Sequence, residues 1–147
     1  MNTFIIGADP RETAKILDMK RLGKQRVEAF QLLRANLGLI KGWIHHPATK
    51  SWKGYEAYLL KVYIRAMMDE WGGRGYRNDK CNSMYAEAIE ILKDVEPIPP
   101  PWFTERMFTS HKSNLIRKKP GYYAPLFPGV PDDIPYAWDE VELTRGS

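Results

Sequence analysis

A single cysteine, Cys81, rules out an internal disulfide, and no Cys/His spacing in the chain resembles a zinc site. Apolar runs extend for only a few residues, far short of the roughly 20 a membrane-spanning helix needs. No period-2 alternation of useful length marks a strand, and no segment repeats. The opening residues carry no basic stretch followed by an apolar core and a small-residue cleavage site, so no secretion signal is read there. Together these absences predict a cytoplasmic, intracellular protein in a reducing compartment.

What remains is 147 residues with 44% hydrophobic and 12% aromatic content, enough for one folded domain with a core and too short for two. The formal charge of +4 hides an asymmetry. Asp132, Asp133, Asp139, Glu140 and Glu142 face only Arg145 in the last seventeen residues, which leaves residues 1–130 at +8. A basic body with an acidic tail suits a polyanionic partner, with the tail damping non-specific contact.

Asp9-Pro10-Arg11-Glu12 has an N-cap, a proline at N1 and a glutamate at N3, and apolar Ile16, Leu17, Leu22, Val27, Phe30 and Leu33 follow at helical spacing. The pattern predicts one helix over residues 10–36, stopped by Gly38. A Trp/His/Pro loop leads to a second helix over residues 51–71, ended by Gly72, Gly73 and Gly75, and a third is expected over residues 83–94. Residues 97–101 contain too much proline for helix or central strand and read as a rigid linker. A short helix over residues 110–118 closes before Pro120. Pro125, Pro128, Pro131 and Pro135 then argue for an extended tail. The expected fold is mainly α: a compact single-domain bundle of about three main helices plus short ones, spanning residues 1–127, with an acidic, Pro-rich tail over residues 128–147.

Two segments carry candidate chemistry. In Arg21-Leu22-Gly23-Lys24-Gln25-Arg26-Val27-Glu28, residues 21, 24, 25 and 28 sit at i, i+3, i+4 and i+7 and form one polar stripe ending in a carboxylate. Lys20, Arg21, Lys24 and Arg26 surround that glutamate, so the stripe can hold phosphates while keeping an acid or base near a sugar. A solvated helix face is the plainer reading of such a run. The second segment, Ser110-His111-Lys112 through Arg117-Lys118-Lys119-Pro120-Gly121-Tyr122-Tyr123, joins cations to rings that stack on bases; a helix end capped by its own basic residues is the alternative. His45 and His46 precede Pro47, where a histidine positions a phosphate, shuttles a proton or simply caps the next helix. Trp43, Trp52, Trp71 and Trp102 read as packing residues rather than a base-reading set. Cys81 reads as an incidental thiol, and Asp18 is too far around the first helix to pair with Glu28.

In this order the segments resemble the pyrimidine-dimer DNA glycosylase family. The likeness rests on Met1-Asn2-Thr3-Phe4, the Lys20 to Glu28 run, His46-Pro47, Trp52-Lys53-Gly54-Tyr55, Arg74-Gly75-Tyr76, the proline turn with Trp102, and Ser110-His111 through Tyr123, about residues 1–125 in all. The resemblance implies a helical enzyme of bacterial or phage origin that bends double-stranded DNA and flips a base. An amine attacks deoxyribose C1′, and β-elimination from the resulting Schiff base cuts the strand. Bulky Asn2 leads to the expectation that Met1 is retained, so the Met1 amine is the expected nucleophile, with Lys24 a possible substitute. Aligning Arg26-Val27 with the family's pattern puts Gly23 where its helix-one glutamate stands, and Glu28 is the carboxylate expected to take that role. The catalytic candidates are thus Met1, Asn2, Lys24 and Glu28. Lys20, Arg21, Arg26, His46, His111, Lys112, Arg117, Lys118, Lys119, Tyr122 and Tyr123 are the DNA-binding candidates. No metal or organic cofactor is expected, and the protein is expected to act as a monomer. A DNA-binding protein that keeps the scaffold without catalysis remains the alternative, favoured by Gly23 and Asn2.

Overall fold

The stretch expected to be one helix breaks at Leu17-Asp18. The computed structural model describes residues 2–145 and has α1 at Pro10–Ile16 and α2 at Met19–Asn36, with Leu17 and Asp18 extended between them. A continuous helix would align Ala14, Asp18, Leu22, Gln25 and Ala29 on one stripe; with the break Asp18 is still buried, but as a cap residue. The break moves Asp18 to the N-cap position of α2, where Arg21 pairs with it at 3.2 Å. Asp9 caps α1 by accepting from the Arg11 N–H at 3.0 Å, as its sequence signature predicts. Gly38, at φ 76°, follows the end of α2.

The second expected helix also divides. His46 accepts from the Ala48 N–H and starts a short α3, Pro47–Ser51, with proline at its first position. Gly54, at φ 94°, then turns the chain before α4, Glu56–Tyr58. A π-helical segment, Leu59–Ile64, leads directly into α5, Arg65–Gly73. After it, α6 covers Asp79–Leu92, starting four residues earlier than expected. Residues 96–100 have no regular structure, as their prolines predict. Beyond them come α7 at Glu105–Lys118, α8 at Pro120–Tyr123, a 3-10 turn at Ala124–Leu126 and α9 at Asp139–Thr144.

Among the described residues every regular element is helical, so the mainly-α expectation holds. The tail is not extended throughout: its prolines stop at Pro135, and Asp139 and Glu140 suit the first turn of α9. No helix among the described residues is long and apolar enough to cross a membrane.

The described residues form two compact units, the first from residues 2–3 and 9–100, the second from residues 4–8 and 101–145. In the first, Leu22, Ala29, Phe30, Leu32 and Leu33 of α2 are buried along with Trp52, Leu59, Leu60, Tyr63, Ile64 and Met67. In the second, Ile5 is buried along with Met107, Leu115, Ile116, Tyr123 and Phe127.

Candidate active site and DNA interface

The π-helical segment contributes Tyr63, a fully buried phenol, to the interior of the first unit. Its hydroxyl donates to Gln25 Oε1 at 2.7 Å, which turns Gln25 Nε2 toward the Asn2 carbonyl; that second bond is 2.8 Å. With one amide atom accepting and the other donating, the Gln25 orientation is settled by chemistry. Burial, with the Glu28 carboxylate adding to it, holds the Tyr63 hydroxyl well above its usual pKa, so it stays protonated and remains a donor. One residue on, Trp52 Nε1 donates to Thr3 Oγ1 at 2.8 Å. Residues 2 and 3 are therefore held by polar bonds in the interior of the helical unit, at the side of α2 that carries Glu28. Met1 lies outside the described residues.

Gln25 and Glu28 are one turn apart on α2, with Cβ atoms about 5–6 Å apart at that spacing. Glu28 is half-buried and lines a cleft of about 680 Å³ together with Met19, Lys20, Gly23, Lys24, Val27, Gln31 and Trp71. The polar stripe read from sequence is thus rotated. Gln25 turns inward, Arg21 is taken by Asp18, and the residues facing the cleft are Lys20, Lys24 and Glu28, at i, i+4 and i+8. Burial lowers the His46 pKa and the Glu28 carboxylate opposes that shift, which brings His46 within electrostatic reach of the same acid. His46 is also the α3 cap, one of the roles its position suggested.

Gly23 has a packing reason. A Cβ at this position would stand 3.1 Å from two ring atoms of Trp71, so the glycine lets the indole lie against α2 as one wall of the cleft. The ring stacks on Tyr76 at 4.3 Å, receives the Arg26 guanidinium 4.7 Å from its centroid, and donates from Nε1 to the Arg77 carbonyl at 3.0 Å. Arg26 also donates to Asn78 Oδ1 and to Cys81 Sγ, at 3.3 and 2.8 Å. Its expected phosphate role is corrected accordingly: the guanidinium ties α2 to α6. Cys81 is buried, and burial raises its thiol pKa against the pull of Arg26. Asn2 is buried too, and neither of its side-chain amide atoms has a partner among the described residues.

The sequence model of the pyrimidine dimer DNA glycosylase family matches residues 1–84. The chain belongs to that family. No curated protein and no solved structure matches it. The family match takes in the Asn2, Gln25, Glu28, His46 and Tyr63 cluster and the whole cleft, and stops within α6, so α7 and all that follows lie beyond it. Among the described residues, no three His, Cys, Asp or Glu side chains converge as metal ligands.

In the second unit the expected DNA-binding residues divide into two groups. His111 is buried; its Nδ1 accepts from the Ile5 N–H at 2.9 Å, and the rings of Phe4 and Tyr136 meet it edge-on. Burial takes its pKa down to about 3, so it is a neutral packing residue and not part of a surface groove. Tyr123 is buried against Phe127. Arg117 donates to the Asp132 and Ile134 carbonyls and to Asn114 Oδ1, and so binds the proline-rich segment rather than phosphate. Ser110, Ser113 and Asn114, on the same α7 face, hold the backbone at Ala137 and Ile134. Lys112 sits over Phe127, while Lys118, Lys119 and Tyr122 are exposed, with Lys119 Nζ 5.1 Å from the Tyr122 ring centroid.

The sequence pattern gives no role to Tyr63, puts Gln25 on the outward polar stripe, and reads Trp71 as a packing residue only. The available signal is a glutamine at a core position of the α2 stripe, between Leu22 and Ala29, because a buried amide needs named partners.

Proposed function

We propose that this protein is a DNA glycosylase with abasic-site lyase activity, acting on double-stranded DNA that carries a pyrimidine dimer or a similarly altered base. The observation that carries this reading is the Gln25 bond to the Asn2 carbonyl, one turn of α2 from Glu28 on the cleft. It ties the chain next to its first amine to the helix face that bears the acid.

The amine of residue 1 attacks C1′ of the damaged nucleotide as the glycosidic bond breaks and the base leaves, taking up a proton. The C1′–O4′ bond then breaks, the remaining amine proton passes to O4′ as a hydroxyl, and the open sugar is left as the C1′ imine. Removal of a C2′ proton then expels the 3′ phosphate, and water hydrolyses the imine to release the cut strand. Glu28 moves the protons at the sugar. An α-amine suits the task because its ordinary pKa of about 7.7 to 8.0 leaves free base near neutrality, whereas a lysine near 10.4 needs a large depression. Lys20 and Lys24, which line the cleft with Glu28, neutralise flanking phosphates.

Borohydride reduction in the presence of an abasic duplex tests this reading. A covalent protein–DNA adduct, and nicking of ultraviolet-irradiated plasmid over undamaged plasmid, are the expected results. Salt-sensitive DNA binding without adduct or nicking points instead to a scaffold that has lost catalysis.

A further inference from the structure

Not all the tryptophans expected to pack do so. Trp52 and Trp102 are buried, but Trp43 is 45% exposed at the tip of the loop between α2 and α3, beside Ile44 at 44%. Trp43 also holds φ 66°, and it is the non-glycine residue in the left-handed region among the described residues. A bulky side chain rarely adopts that conformation, and such strain persists where the surroundings over-determine it. The base of the loop is tied down: Asn36 Nδ2 donates to the Thr49 carbonyl at 2.9 Å, and the His46 N–H donates to the Trp43 carbonyl at 3.1 Å. The Trp43 ring meets the His46 ring edge-on with centroids 5.8 Å apart. A rigid stem thus presents two large apolar side chains to solvent.

Charge selects the partner. Residues 29–55 contain no aspartate or glutamate, while Lys41, Lys50 and Lys53 lie within the stretch alongside Arg34, which is ion-paired with Glu87 of α6. An exposed apolar tip on an acid-free, basic stretch fits a polyanion that has an apolar interior, and stacked base pairs between phosphate strands are such a partner. We propose that Trp43 and Ile44 form a wedge that enters the base stack of duplex DNA, unstacking one step next to the nucleotide held at Glu28. His46 links the two, since it touches the Trp43 ring and senses the Glu28 carboxylate. The inference deepens the proposed function and rests on it for the position of the wedge relative to the reacting sugar.

The experiment uses the full chain and a duplex with 2-aminopurine next to an unreactive tetrahydrofuran abasic analogue, whose fluorescence rises on unstacking. Wild-type protein at saturation is expected to raise the signal several-fold. Trp43→Ala is expected to give less than a fifth of that rise while binding within about tenfold of wild type at low salt, and Trp43→Phe is expected to restore most of it. On a single-stranded abasic oligonucleotide, where no stack has to open, borohydride trapping by Trp43→Ala is expected to match wild type. A wild-type signal from Trp43→Ala, or a wild-type protein that binds anionic vesicles and leaves 2-aminopurine silent, overturns the wedge. A wedge signal from wild-type protein that traps nothing upholds the wedge and overturns the glycosylase and lyase reading instead.

Discussion

Gln25 Nε2 donates to the carbonyl oxygen of Asn2 at 2.8 Å, across 23 residues of sequence, and thereby ties the start of the chain to the helix that carries Glu28. Tyr63 holds the other end of the same amide, so three residues from the opening segment, α2 and the π-helical turn form one buried polar unit. Such networks are costly to break because each lost partner leaves another group buried and unpaired.

Gln25→Leu removes both bonds at once. The Asn2 carbonyl and the Tyr63 hydroxyl each lose the partner that Gln25 supplies, at about 1–3 kcal/mol each, and the melting temperature falls by several degrees. Tyr63→Phe leaves the bond to Asn2 in place and costs less. Thermal melts with trapping rates check both points: a Gln25→Leu protein that traps at more than a third of the wild-type rate would separate this network from the chemistry.

Gly23 tests where the acid belongs. Gly23→Glu forces bulk against the Trp71 ring, which Tyr76 and the Arg77 carbonyl help to hold in place, and overpacking of this kind costs about 1–3 kcal/mol. The same substitution does not restore trapping to a Glu28→Gln protein. Recovery of activity in the double variant would move the acid from residue 28 to residue 23.

His111 makes stability depend on pH. Its folded pKa, at about 3, lies below an unfolded value near 6.5, so below pH 6.5 the unfolded chain binds a proton that the folded chain refuses. The stability linked to neutral His111 is fully present above pH 6.5 and is lost as pH falls toward 3, at up to about 1.4 kcal/mol per pH unit. Denaturant titrations from pH 7 to 4 are expected to show this slope and to show it flattened in His111→Gln. An equal slope in both proteins contradicts the burial of a neutral imidazole.

Arg117 is predicted to hold the tail rather than DNA. Arg117→Ala releases the carbonyls of Asp132 and Ile134, costs on the order of 1 kcal/mol, and speeds amide exchange at Ile134 and Ala137, whose N–H groups donate to Ser113 and Ser110. DNA affinity at low salt stays within threefold. Unchanged exchange at Ile134 together with a tenfold loss of DNA binding would return Arg117 to the phosphate role.

The helical character, the Asp9 cap, the stop at Gly38 and the proline break near residue 100 were legible in the sequence because each is a local signal. Interruptions decided by tertiary burial were not. Asp18 sits in phase with the stripe of Ala14 and Leu22, and nothing in its local pattern marks the extended Leu17-Asp18 break between α1 and α2. Cation counts misled for the same reason: Arg26 and Arg117 look like phosphate ligands until Trp71, Cys81 and the tail carbonyls are seen to occupy them. His111 lies beside lysines in sequence, yet the α7 periodicity turns it inward.

The most direct test of the account is peptide mapping of the adduct formed by borohydride reduction of the wild-type protein on an abasic duplex. The sugar remnant is expected on the α-amine of the first residue, with at least tenfold less adduct in Glu28→Gln. A remnant on the Lys24 peptide, or an adduct undiminished by Glu28→Gln, would contradict it.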